Sequence, residues 1–209
     1  VVHDGVPTDR SAKDYYVPYR DYIKNVACSE IYATWPQATI VANVLAIMSF
    51  TLNRVYTEWY RNQGYDFTIT SSTAFDHKWI YGRDIFDTIS VVVDDIFDSY
   101  LSRPDVKQPI LTQYCDGVRV SCPNWMTQWG SCALGEQGYS PIEILRSFYG
   151  NDMYINTAEQ ISGIPILPSA HAAARCARCR SSSMRSPQSI QPFREYSPME
   201  FMARLQRRP

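Results

Sequence analysis

The stretch T34-W-P-Q-A-T-I-V-A-N-V-L-A-I-M-S-F-T-L-N53 predicts the longest helix of this chain. Its large apolar residues recur with the spacing of one buried helix face. These residues are Ile40, Val44, Ile47, Leu52 and, just beyond the stretch, Val55. The opening T34-W-P-Q37 has the form of a capping box with proline in the first turn. We therefore expect a helix that continues to about Asn62 and stops before Gly64.

Upstream of this helix, a single carboxylate lies in an apolar segment. Glu30 closes the stretch V26-A-C-S-E30, and neither lysine nor arginine occurs between residues 25 and 53. The helical spacing of apolar residues over 19–31 puts Glu30 at the end of a first helix. Apolar surroundings raise the pKa of a carboxyl group because they disfavour the anion. Two interpretations remain open, an acid that faces solvent and an acid held protonated for proton transfer.

The rest of the chain predicts short strands and further helices. A strand and then a loop are expected over residues 1–17, and the other predicted strands are 67–70, 109–114 and 153–156. The other predicted helices are 84–101, 127–137 and 142–149. The last of these opens with the capping box S140-P-I-E143 and ends at Gly150. This order predicts an α+β fold, with long helices packed on a mixed β-sheet and a substrate groove between lobes.

The bulk composition fits one sizeable domain, which we assign to residues 1–165, followed by an appendage. The chain has 209 residues, a formal net charge of −1, and 45% apolar and 13% aromatic residues. This charge balance is not typical of a nucleic-acid-binding protein, which usually carries a basic face. The apolar run 40–52 is too short for a membrane span, so no transmembrane segment is expected. Residues 1–20 are polar and irregular, so no signal peptide is visible.

Four stretches occur in the order of the motifs of a known family. They are D21-Y-I-K-N-V-A-C-S-E30, W35-P-Q-A-T-I-V-A-N-V-L-A46, T127-Q-W-G130 and E136-Q-G-Y-S-P-I-E-I-L-R-S-F-Y-G150. The first resembles a segment that ends in Ala/Ser-Ser-Glu, and the second resembles the Trp-Pro start of a long helix. The last two resemble a closing Ser-Gln-Tyr/Trp-Gly motif and a Gly-Tyr motif with an aromatic pair. The ordered set, over residues 19–155, resembles the stage II sporulation protein D and amidase-enhancer family in its clostridial form.

The resemblance implies a lytic transglycosylase that cleaves peptidoglycan between N-acetylmuramic acid and N-acetylglucosamine. Such enzymes prefer glycan strands stripped of stem peptides, and the 6-hydroxyl of the sugar closes a 1,6-anhydro ring. Ordinary glycosidases use two carboxylates, whereas here one carboxyl group can donate a proton and then take one back. Glu30 stands at the catalytic position of the family.

The resemblance and the residue types together predict a sugar-binding cleft. Gln128 matches a sugar-binding position of the family. Trp125 and Trp129 flank a loop and are candidates either for sugar stacking or for the core. Ser71, Thr73 and Asp76 either line the same cleft or form a turn. We expect an exported protein of the cell wall or spore envelope, with glycan strands and a cell-wall amidase as partners and no required cofactor.

Cys115 and Cys122 are closely spaced, and three interpretations of the pair remain open. A disulfide is favoured if the protein is exported, and two buried thiols are the second alternative. The third is a structural zinc ion, as in some family members, although this pair supplies at most two of four ligands. His77, or His3 if it folds back, would be a further ligand. Cys28 is expected to be a small buried apolar residue.

Two departures from the family pattern support a second functional hypothesis. I47-M-S49 stands where the family has Ala-Arg-Thr, and Arg54 comes nearly two turns later. S121-C-P-N-W-M126 replaces a loop that contains Gly-His-Gly in the family. The alternative is a non-catalytic peptidoglycan-binding or amidase-activating protein on the same fold.

The composition changes after Pro165. Residues 166–209 are rich in Ser, Arg, Pro and Ala without a sustained apolar period, which predicts a disordered tail. C176-A-R-C179 is weak support for zinc because no second pair accompanies it. Read one base out of frame, the closing stretch PMEFMARLQRRP, residues 198–209, permits Asp-Gly-Ile-Tyr-Gly, which resembles the common peptidoglycan-binding domain. We hypothesise that a frameshift replaced such a domain with this tail.

Overall fold

The computed structural model describes residues 1–122 and 124–158 and shows a mixed α/β fold in them. Five α-helices occur in these residues: α1 (Tyr19–Glu30), α2 (Gln37–Tyr56), α3 (Asp87–Asp95), α4 (Gln128–Glu136) and α5 (Pro141–Tyr149). The strands are β1 (Val2–His3), β2 (Asp14–Tyr15), β3 (Ile69–Thr70), β4 (Ser99–Ser102), β5 (Tyr114–Cys115), β6 (Met126–Thr127) and β7 (Tyr154–Thr157). The predicted domain boundary at residue 165 and the predicted tail lie outside the described residues.

Helix α2 lies at the centre of the core. Fifteen of its 20 residues are buried, because α1, α3, α4, α5 and β4 all pack against it. Burial on every side explains why its sequence is apolar nearly all round rather than on one stripe. By length and composition alone α2 could also cross a membrane, but 83% of its most apolar window is buried inside the described protein.

The polar residues of α2 attach extended segments of the chain to it. The Ser49 hydroxyl accepts the Leu101 amide at 2.7 Å, and the Asn53 side chain donates to the Pro109 carbonyl at 2.8 Å. These buried polar groups are paired, as their removal from water requires. They hold strand β4 and the segment that leads to β5 against the helix.

The strands form three small sheets in the described residues rather than the single mixed sheet that we expected. The first has the order β2-β1-β3, with β1 antiparallel to β2 and parallel to β3. Strands β4 and β7 pair antiparallel, and β5 and β6 pair parallel. Each strand has only two to four residues, so it pairs with the one or two segments directly beside it, and helices cover the rest of the core.

Three predicted helices are confirmed with small changes at their ends, because α1, α4 and α5 coincide with the predicted ranges. The capping box of α5 is present. The Ser140 hydroxyl accepts the Glu143 amide, and the Glu143 carboxylate accepts the Ser140 amide at 2.8 Å. Gly150, with φ of 99°, follows the last residue of the helix, as predicted.

The predicted ends of α2 are wrong. The helix begins at Gln37 after Pro36, whose ψ of 140° is extended, and no side chain caps it. The capping box predicted at residues 34–37 therefore does not form, because the chain turns at Tyr32 to Trp35 and brings those two aromatic rings together. The helix ends at Tyr56, and a separate 3-10 turn precedes Gly64.

The predicted helix 84–101 is also wrong in its second half. Helix α3 ends at Asp95, and residues 99–102 form β4. The spacing of apolar residues does not mark where this helix ends; the pairing of β4 with β7 makes residues 99–102 a strand. Of the predicted strand 109–114, only Tyr114 lies in a strand.

Candidate functional site

An open cavity of about 810 Å³ is lined by four segments that are far apart in the sequence. These are the end of α1 with the turn after it, the loop after β3, the loop after β5, and the start of α4. Its volume lies in the range of about 300–1,000 Å³ that is usual for small-molecule sites. The cavity is therefore large enough for a ligand of the size of a few sugar rings.

Glu30 lines this cavity as the last residue of α1 and is half-buried. Its Oε1 accepts the backbone amide of Lys78 at 2.7 Å, and its Oε2 accepts the side-chain amide of Gln128 at 3.3 Å. Burial raises the pKa of Glu30 above its ordinary value, although these two hydrogen bonds and the charge of Lys78 act in the opposite direction. The protonated form of this carboxyl group is thus favoured more than it is for a glutamate in water.

Gln128 is the first residue of α4 and is buried beside Glu30. Helix α4 begins there because Thr127 is extended and pairs with β5, while the Trp129 amide donates to the Asp116 carbonyl at 3.2 Å. A side-chain amide has a donor end and an acceptor end, and its rotation exchanges them. Gln128 can therefore bond to Glu30 in either protonation state.

An aromatic cluster forms one part of the cavity wall. The Trp129 ring meets the Trp35 ring edge-on at 5.2 Å and the Tyr32 ring at 5.8 Å. Tyr32 is 58% exposed and Trp129 is 45% exposed, so part of the aromatic surface of the cluster is accessible in the cavity. Trp125, at 36% exposed, also lines it. Both predicted tryptophans are thus available for stacking rather than enclosed in the core.

Asp76 has a structural environment that sequence reasoning did not anticipate. Its side chain is fully buried and forms an ion pair with Arg54 Nε at 2.8 Å. The same carboxylate accepts the Tyr60 hydroxyl at 2.6 Å and both the backbone amide and the hydroxyl of Thr70. These contacts fix the loop after β3 against α2. Asp76 lines the cavity with its acceptor capacity already used.

The loop from Cys115 to Cys122 is closed by a disulfide in the structure. Asp116 accepts three backbone amides of the loop, at 3.0–3.2 Å, and these hydrogen bonds hold its pKa below the ordinary value. The structure thus forms the first of the three predicted alternatives. A disulfide sulfur has no thiolate charge to offer a zinc ion, so coordination by this pair would require its reduction.

Both histidines that were considered as zinc ligands bind other side chains. His77 is buried, forms a hydrogen bond with Tyr22 at 3.1 Å, and stacks on Tyr114. His3 binds Asp14 in the first sheet. Within residues 1–122 and 124–158, no three His, Cys, Asp or Glu side chains are grouped to hold a metal ion.

Sequence reasoning missed several residues that line the cavity. Tyr32 and Trp35 carried a usable signal, since they follow Glu30 closely in the chain. Lys78, Tyr114 and Arg119 carried none, because only folding brings their segments to Glu30. Burial and the charge of Glu30 raise the pKa of Tyr114 well above its ordinary value, so its hydroxyl stays protonated.

All but one of the predicted catalytic and sugar-binding residues meet at this cavity. The residues that line it are Glu30, Thr73, Asp76, Trp125, Gln128 and Trp129. Ser71 does not; its hydroxyl donates to the Asp4 carboxylate at 2.8 Å, beside the first sheet. Comparison of the chain with protein-family models, with curated proteins and with solved structures found no match.

Proposed function

We propose that this protein is a peptidoglycan lytic transglycosylase of the stage II sporulation protein D type, acting in sporulation or cell-wall remodelling. The proposal depends on the resemblance of residues 19–155 to that family and on one observation. Glu30 is a half-buried carboxyl group with a raised pKa, without an ion pair in the described residues, and it faces a cavity lined by aromatic rings. That is the state a proton donor needs before the glycosidic bond breaks.

The other carboxylates of the cavity support chemistry with a single acid. A hydrolase needs a second carboxylate as nucleophile or as the base that activates water. Asp76 is paired with Arg54, and Asp116 accepts the amides of its own loop. Either role would require breaking these contacts. Intramolecular attack by a sugar hydroxyl requires neither.

The hydrogen bonds of Glu30 suggest how its proton moves. Oε1 accepts the shorter bond, from the Lys78 amide, so the proton resides on Oε2. Oε2 protonates the glycosidic oxygen as the bond from that oxygen to C1 of the muramic acid breaks. The resulting carboxylate is held by Lys78 and Gln128. It then takes the proton of the 6-hydroxyl as O6 bonds to C1, which restores the acid and closes the anhydro ring.

The aromatic cluster suggests where the glycan lies. Tyr32, Trp35 and Trp129 form an aromatic cluster that lines the cavity with Glu30, and Trp125 also lines it. Flat apolar rings match the apolar faces of sugars and leave their hydroxyl groups to polar neighbours such as Gln128. The cavity would then be the centre of a longer substrate groove.

The test incubates the full chain with glycan strands that an amidase has stripped of stem peptides, and identifies products by mass spectrometry. Anhydro-muramyl products are expected, with a rate reduced at least about a hundredfold in Glu30→Gln. The matched control is Asp21→Asn, at an exposed acid on the same helix, which should keep full activity. Equal product formation by Glu30→Gln would exclude this role.

A second function is favoured by specific features of the same site. The two donors at Glu30 also stabilise its anion, and α2 carries Met48 where the family has an arginine. A non-catalytic protein would bind denuded strands without forming products, or would accelerate a purified cell-wall amidase. Binding or stimulation by both the unsubstituted chain and Glu30→Gln, with no anhydro product, would establish this alternative.

A further inference from the structure

Two cationic side chains line the cavity and have no ion pair within the described part of the chain. They are Lys78 and Arg119. The backbone amide of Lys78 donates a hydrogen bond to Glu30, and Arg119 lies on the loop that the disulfide closes. Both residues are exposed. Arg20, Lys24, Arg54 and Arg103, none of which lines the cavity, form ion pairs with aspartates. A solvent-facing cation without a partner is available to a ligand.

The acids of the cavity offset the charge of at most one of these two cations. Asp76 is neutralised by Arg54, and Asp116 accepts backbone amides of its loop. The charge of Arg119 contributes to the lowered pKa of Asp116, but the two side chains form no ion pair. Glu30 is tuned toward its neutral form. The cavity therefore presents a surplus of positive charge when the catalytic acid is ready to react.

We propose that Lys78 and Arg119 determine substrate specificity by binding the free lactyl carboxylate of a muramic acid residue beside Glu30. This inference rests on the proposed function and names the group that the same site would recognise. N-acetylmuramic acid differs from N-acetylglucosamine by this lactyl group. The group is anionic only when no peptide is attached, because the peptide bond converts its carboxylate to an amide.

Such binding would also assist the proton donor. In the free protein the charge of Lys78 lowers the pKa of Glu30 and opposes its protonation. A substrate carboxylate that pairs with Lys78 offsets this charge, and a nearby anion itself disfavours ionisation of Glu30. Only a strand with free lactyl groups would supply both effects. The specificity would thus appear in the acidity of Glu30 as well as in affinity.

The test measures equilibrium binding to three probes by the full chain carrying Glu30→Gln, which prevents turnover. The probes are denuded glycan strands, the same strands with lactyl carboxylates converted to methylamides, and neutral chitohexaose. Methylamide formation should weaken binding about tenfold, since a hydrogen bond to a charged group is lost. Circular dichroism verifies the fold, and the same titrations on the unsubstituted chain at low temperature apply if Glu30→Gln does not fold.

The cavity variant is Lys78→Gln with Arg119→Gln. It should bind denuded strands about tenfold more weakly and no longer distinguish them from methylamidated strands. The control variant, Arg10→Gln with Lys107→Gln, removes the same charge at exposed positions outside the cavity. It should change binding by less than about twofold.

Two outcomes would overturn the inference. One is equal affinity of the chain that carries only Glu30→Gln for unmodified and methylamidated strands. The other is an equal loss for both strands in the cavity variant. Anhydro products formed without preference for free carboxylates would remove this inference and leave the enzyme proposal standing. Binding that prefers strands with free carboxylates, without any products, would remove the enzyme proposal and leave this inference standing.

Discussion

At the scale of single residues, Glu30 is tuned by its place at the end of α1. Desolvation raises its pKa, and the carboxyl end of a helix carries partial negative charge that also disfavours an anion. No basic residue occurs in the last turn of α1. The Lys78 amide then fixes the orientation of the group. A side chain held in this way is prepared to exchange a proton at the cost of some folding stability.

The first prediction concerns that cost. Because the pKa of Glu30 is raised in the folded state, the protein is destabilised as pH rises through that pKa. Glu30→Gln lacks the effect. The free energy of unfolding of the variant, minus that of the unsubstituted protein, should therefore be more positive at pH 7 than at pH 4. Urea denaturation at both pH values measures it, and an unchanged difference would contradict the prediction.

The second prediction concerns His77, which is buried and neutral. Burial lowers its pKa to about 3, with the charge of Arg54 as a further cause. The unfolded chain binds a proton near pH 6.5 and the folded chain does not, so stability falls as pH drops from about 6.5 to about 3. His77→Phe should remove about 1 kcal/mol per pH unit from this slope.

The slope, rather than absolute stability, is the readout for His77. Phenylalanine keeps the contact with Phe50 but loses the hydrogen bond with Tyr22, so the variant is expected to be less stable at every pH. Chemical denaturation at pH 4, 5, 6 and 7 gives the slope of each protein. Identical slopes would show that the pKa of His77 is the same in the folded and unfolded states.

At the scale of elements, the packing of α4 on α2 sets the position of the cavity wall. A Cβ atom on Gly135 would lie 2.1 Å from the Thr39 hydroxyl oxygen, so only glycine permits this approach. The same Thr39 hydroxyl donates to the Ser131 carbonyl, and Asn43 donates to the Ser131 hydroxyl at 2.8 Å. These contacts hold the start of α4, with Gln128 at the cavity.

The third prediction is that Gly135→Ala destabilises the protein by about 2 kcal/mol, because steric overlap outweighs the better helix propensity of alanine. Thr39→Ala removes the overlapping oxygen. The double variant should therefore be more stable than the sum of the two single effects predicts. Thermal denaturation of all four proteins measures the coupling, and additive effects would show that the helices separate freely.

The fourth prediction concerns the loop from Cys115 to Cys122. Replacing both cysteines with serine should lower the free energy of unfolding by about 2 kcal/mol, as expected for a loop of this length. The amides that donate to Asp116 should exchange with deuterium faster, because the loop loses its covalent closure. Cys132→Ser, at a free buried cysteine, is the control and should leave loop exchange unchanged.

At the scale of the whole molecule, the site depends on ties between distant segments. The ion pair of Arg54 with Asp76 joins α2 to the loop that presents Lys78 to Glu30. Both partners are buried, and the Arg54 guanidinium also lies 4.9 Å from the Phe50 ring centroid. Loss of one partner would leave an uncompensated charge in the interior.

The fifth prediction is that Asp76→Asn destabilises the protein by about 3 kcal/mol, because it leaves Arg54 buried without its counter-ion. Asp94→Asn is the matched control. Asp94 pairs with Arg20 and Lys24, but its side chain is 40% exposed, so its loss should cost less than about 1 kcal/mol. Urea denaturation compares the two variants. Equal effects would show that burial adds nothing to the Arg54 pair.

The sequence by itself determined the features that depend on neighbours along the chain. The periodic helices α1, α4 and α5 and the capping box of Ser140 with Glu143 were readable in this way. The position of Glu30 at a helix end was readable for the same reason. Helical spacing and capping involve residues three or four apart, so their physics is contained in a short stretch.

Only the tertiary structure decided which groups meet. Glu30 is bonded to residues 48 and 98 positions away, and Asp76 is occupied by Arg54 rather than free for a ligand. The change from α3 to β4 likewise followed from pairing with β7. These outcomes depend on contacts between distant segments, and packing around α2 sets how those segments are arranged. No local pattern of residues encodes that arrangement.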